Sequence, residues 1–105
     1  MEHVYIYGFG SFFNNKENFN DIDLLIIHDS TSYISRKFSL LCKKYLISRI
    51  CNAHITILSK SGEVQHNFIQ KSNPVFLGIV NEISWLEDID LIISNEIYKL
   101  DITSQ

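Results

Sequence analysis

"HVYIYGFGSFFNNKENFNDIDLLIIH", residues 3–28, holds two apolar runs separated by a polar, Asn-rich interval. The first, residues 3–9, is β-branched and aromatic and stops at Gly8 and Gly10, which predicts a short buried strand ended by a turn. In the second, residues 21–28, Ile22, Leu24 and Ile26 alternate with Asp21, Asp23 and Leu25, the period of a strand. Ser11 would open either a short helix or a loop between them. Because residues two apart on a strand share a face, Asp21 and Asp23 are expected to present their carboxylates side by side, an arrangement able to clamp a metal ion.

The same word returns at residues 87–94, "EDIDLIIS". There the apolar positions 83, 86, 89, 93, 97 and 100 follow helical intervals, predicting a C-terminal helix over about 83–100. Residues two apart on a helix diverge by about 200°, so Asp88 and Asp90 are expected to point apart as ordinary acidic surface. Only the first copy is a candidate for chemistry.

Between the copies, Ile34, Phe38, Leu41 and Tyr45 predict one face of a helix starting at Tyr33. "CNAHITILS" at 51–59 predicts a third strand ended by a turn at "SKSGE". "VQHNFIQKS" suits a short helix, and Pro74 precedes a fourth strand, "VFLGIV". The expected fold class is mixed α/β, a small twisted sheet of about four strands with flanking helices, in one domain over residues 1–105.

A chain of 105 residues with 46% hydrophobic and 20% charged residues has the composition of a folded domain. Its net charge of −3 argues against direct nucleic-acid binding, which needs a basic surface to release counterions. Five of nine basic residues fall at Arg36, Lys37, Lys43, Lys44 and Arg49. Six of twelve acidic ones fall at Glu82, Glu87, Asp88, Asp90, Glu96 and Asp101, so a basic middle faces an acidic last third, as solvated helix faces or a partner surface. Cys42 and Cys51 lack CxxC spacing and read as reduced thiols. No run approaches ~20 apolar residues and no basic leader precedes one, so a cytoplasmic location without membrane contact is expected.

A glycine ending a strand lets a backbone approach a phosphate, and Ser11 adds a hydroxyl and an N–H. Two carboxylates on the next strand could hold Mg²⁺ against the same phosphates. The combination of "GSF", this spacing and "DIDLLI" resembles the nucleotidyltransferase superfamily that includes DNA polymerase β, over roughly residues 4–80. It is most similar to the minimal nucleotidyltransferases, among them the antitoxins paired with helical HEPN-type toxins.

That resemblance implies transfer of AMP from ATP, with Mg²⁺, to a hydroxyl of the partner toxin. Gly10 and Ser11 would bind the nucleoside triphosphate, and Asp21 and Asp23 the metal. The family's third carboxylate position falls on His54, which suits Mg²⁺ poorly but can serve as a general base. A degenerate site that only binds a protein partner is the alternative. Small family members usually carry a helix before the first strand; here the C-terminal helix or a partner would cover that face. His3, His28 and His66 read as surface residues, and Tyr5 and Tyr7 as core or sheet-face residues.

Overall fold

The computed structural model describes residues 1–14 and 21–98, with the backbone alone at Gln65, His66 and Phe68. It is a mixed α/β fold built on strands β1 (His3–Phe9), β2 (Ile22–His28), β3 (Ala53–Ser59) and β4 (Val75–Asn81). They form one sheet in the order β3-β2-β1-β4. β1 runs antiparallel to β2 and to β4, and β2 parallel to β3. Parallel neighbours require a crossover. Helix α1 (Tyr33–Arg49) supplies it.

The strand alternation decides the faces. Val4, Ile6, Leu24 and Ile26 are fully or almost fully buried on one face, against Phe38, Cys42 and Leu46 of α1. Ile89 and Ile92 of α4 (Trp85–Ile92) and Ile93 and Ile97 of the π-helical turn that continues it to Ile97 join the same cluster. The C-terminal helix thus covers this face beside α1. Each such side chain contributes about 1.5–3 kcal/mol by leaving water. Phe13 packs onto this core from the turn after β1, so close to Gly8 that any Cβ there would lie 2.5 Å from its ring.

Two helical expectations change. On α1 the buried positions are Ser35, Phe38, Ser39, Cys42 and Leu46, while Ile34 and Leu41 are exposed. Small serines let the helix lie close to the sheet, and their hydroxyls are satisfied locally: Ser39 donates to the Arg36 carbonyl at 2.7 Å. Ser35 shares a 3.0 Å hydrogen bond with His28, which is buried rather than superficial.

"SKSGE" is the start of a helix, not a turn. Ser59 caps α2 (Lys60–His66) by accepting from the Gly62 N–H at 3.0 Å. Asn67, left-handed at φ 54°, then separates α2 from α3 (Phe68–Ser72). In the tail, Ile83 precedes α4 and is 81% exposed, Leu86 is also exposed, and Leu100 lies outside the described residues. From Ser11 to Asn14 the chain makes a turn in which the Asn14 N–H donates to the Gly10 carbonyl at 3.1 Å. The rest of the Asn-rich interval, 15–20, also lies outside them.

Candidate functional site

Register brings two of the candidate residues, Asp23 and His54, together at one end of the sheet, with Gly10 following Phe9 beside them. Phe9 lies opposite Asp23 across the antiparallel pair, and Asp23 lies opposite His54 across the parallel one. Since Ile22 and Leu24 point into the core, Asp23 belongs to the other face, and so does His54. Asp21 immediately precedes β2 and is half-buried. The Ile22 N–H donates to the Asn52 carbonyl at 2.9 Å, anchoring this end of β2 to the turn before β3. Asn52, at φ 63°, makes that turn in a conformation Asn tolerates.

Gly10 closes the site from the β1 side. Its φ is +79°, and a Cβ there would fall on the Asp23 carboxylate oxygen Oδ2. Bare backbone and carboxylate therefore meet directly, the geometry in which a phosphate could approach main-chain N–H groups beside an oxygen ligand. Gly10, Ser11, Asp21 and Asp23 are half-buried, whereas His54 is exposed on the edge strand.

Among the described residues, no group of three or more His, Cys, Asp or Glu is gathered so as to hold a metal alone. Mg²⁺ commonly takes one or two carboxylates and completes its shell with water and substrate phosphate oxygens. Asp23 packed against Gly10, with Asp21 two residues before it in the chain, would fit such an incomplete donor set. The two aspartates do not fit a metal enclosed by protein.

The second Asp-Ile-Asp is structural, and its two acids diverge. Asp88 Oδ2 accepts from the Asn81 N–H and the Ser84 hydroxyl, both at 2.9 Å, tying α4 to the end of β4. Asp90 Oδ1 accepts from the Tyr45 hydroxyl at 2.7 Å and lies 3.8 Å from Arg49, tying α4 to α1. Neither is the idle acidic surface expected. That hydrogen bond to Asp90 holds the Tyr45 hydroxyl above its usual range.

A polar cluster that sequence reasoning missed occupies the opposite end of the sheet. Lys60 Nζ lies 3.1 Å from Asp29 Oδ1, donates to the Tyr5 hydroxyl at 3.4 Å and sits over the Tyr5 ring, while His3 approaches Asp29 at 3.6 Å. Partial burial pushes the Asp29 carboxyl upward, but Lys60 and His3 outweigh it and hold the group below its ordinary range. The signal available was the Ser59 cap, which would have put Lys60 at a helix start beside β2. Asp29 lies six residues along the chain from Asp23, about 20 Å of strand, so the cluster is no part of the site.

Tyr7 meets Phe76 with ring centroids 5.2 Å apart, so Tyr5 and Tyr7 are sheet-face residues on the side opposite the core. The His66 side chain lies outside the described residues. No described helix is long and apolar enough to cross a membrane. No family model, curated protein or solved structure matches the chain.

Proposed function

We propose that this protein is a magnesium-dependent nucleotidyltransferase of the minimal kind, a cytoplasmic antitoxin that transfers AMP from ATP to a hydroxyl of a HEPN-type partner toxin. The observation that carries the reading is the line Gly10, Asp23, His54: a bare glycine against one carboxylate, and that carboxylate opposite an imidazole in the next strand.

In this reading the backbone at Gly10 and Ser11 receives the triphosphate, because no side chain at Gly10 bars the approach. Asp21 and Asp23 would hold Mg²⁺, which when bound neutralises phosphate charge and favours departure of pyrophosphate. His54 accepts the proton as the acceptor's hydroxyl oxygen bonds to the α-phosphorus. The bond between the α-phosphorus and its bridging oxygen to the β-phosphate breaks, and pyrophosphate leaves with that electron pair. Exposure of His54 on an edge strand gives a macromolecular hydroxyl access to it.

A second reading rests on the same residue. With His54 where the resemblance implies a third carboxylate, and no three-ligand group among the described residues, the fold would serve as a non-enzymatic binding subunit that neutralises its partner by contact. Incubation with α-labelled ATP, Mg²⁺ and the protein encoded beside it separates the two. Label on the partner that disappears in Asp21→Asn/Asp23→Asn supports transfer; unlabelled partner, neutralised equally by both proteins, supports contact alone.

A further inference from the structure

We infer that the face formed by α1 and the start of α4 is a self-association surface that seats a second copy of this chain about a two-fold axis. A groove of about 550 Å³ runs between the two helices, with Ile34, Phe38, Leu41 and Trp85 among its lining. Lys37 and Lys44 flank it on the α1 side and Glu82 on the other. Ile34 is 62% exposed, and Leu41 is exposed too; they sit on the helix side that the core does not use. Among the described residues nothing covers them.

Charge decides the occupant. α1 carries five basic residues and no acidic one, and neither Lys37 nor Lys44 has an ion-pair partner among the described residues. The segment opposite, "EISWLEDIDLI" at 82–92, has acidic residues and no basic one. Asp88 and Asp90 are engaged internally, but Glu87 is exposed, as are Ile83 and Leu86. One helix therefore offers apolar residues flanked by cations, and its neighbour apolar residues flanked by anions.

An isologous pair needs a patch complementary to itself. A two-fold axis along the groove lays α1 of each copy over the α4 strip of the other, so that a cationic flank meets an anionic one at two equivalent contacts. The face lies on the helical side of the sheet, opposite Asp23 and His54, so association leaves the candidate site open. The inference is independent of the activity proposed above.

Sedimentation velocity on the whole protein tests it. At low ionic strength and tens of micromolar, the protein is expected at twice its 12.2 kDa monomer mass, with the dimer weakening as salt screens the flanks. Lys37→Glu/Lys44→Glu and Glu82→Lys/Glu87→Lys are each expected to weaken association by about tenfold or more, since like charges then face each other. An equimolar mixture of the two variants restores opposite charges at both contacts and is expected to restore the dimer. That recovery also shows both variants to be folded. A monomer at all concentrations, dimers unaffected by either double substitution, or a mixture that stays monomeric would each overturn the inference.

Discussion

Asp23 and His54 are direct partners across the parallel β2–β3 pair, on the sheet face that α1 and α4 leave uncovered. Their pairing follows from strand register rather than from loop conformation. A one-residue slip would carry Asp23 into the core and Leu24 out of it, so burial of Ile22, Leu24 and Ile26 fixes the site as firmly as it fixes the fold.

Gly10 is the position where the site is most sensitive to a single methyl. Gly10→Ala should cost about 1–2 kcal/mol in urea denaturation, because φ +79° disfavours an L side chain. Gly10→Asn should cost less, since Asn tolerates that conformation, yet its Cβ still displaces the Asp23 carboxylate. Both variants are expected to lose Mg²⁺-dependent nucleotide binding, so binding and stability should separate in Gly10→Asn.

The two thiols should differ sharply. Cys42 is fully buried, and burial pushes its thiol up to about 12, which leaves almost no thiolate at neutral pH. Cys51 is exposed. A chromogenic disulfide reagent should therefore titrate one thiol promptly in the native protein and the second only as the core opens in denaturant. Two prompt equivalents would contradict the packing of α1 on the sheet.

Asp29 gives a pH dependence of defined sign. Its folded value lies below the ordinary 3.8, so the unfolded chain takes up a proton first as pH falls. The stability it adds is present above 3.8 and is lost as pH drops through the lower folded value. With its side chain 30% exposed, screening limits the contribution to roughly 1 kcal/mol or less. Asp29→Asn should be less stable than the natural protein near neutrality and equal to it in acid. A gap that widens toward acid would contradict the Lys60 pairing.

How legible the protein was depends on which physics each element obeys. Strand β1 could be read because its alternation and its burial agree, and β2 because its apolar run, buried without a break from Leu24 to His28, is that of a central strand; register then sets Asp23 beside His54. The face of α1 could not be read, since Ser35 and Ser39 are buried while Ile34 and Leu41 are exposed. Small hydroxyls bonded to His28 and to the Arg36 carbonyl are at no disadvantage inside, and hydropathy alone misses this. The Lys60–Asp29 contact was legible only in part: the Ser59 cap could have placed Lys60 at a helix start, but its meeting with a strand end comes from tertiary packing. In "SKSGE" a turn composition concealed a capping serine.

Calorimetric titration with a non-hydrolysable ATP analogue, with and without Mg²⁺, tests the candidate site without needing the acceptor. Saturable binding that requires Mg²⁺ is expected in the natural protein and should vanish in Asp21→Asn/Asp23→Asn, while both proteins unfold at similar denaturant concentrations. Absence of binding in the natural protein, or equal binding by both proteins whether or not Mg²⁺ is present, would contradict the candidate site.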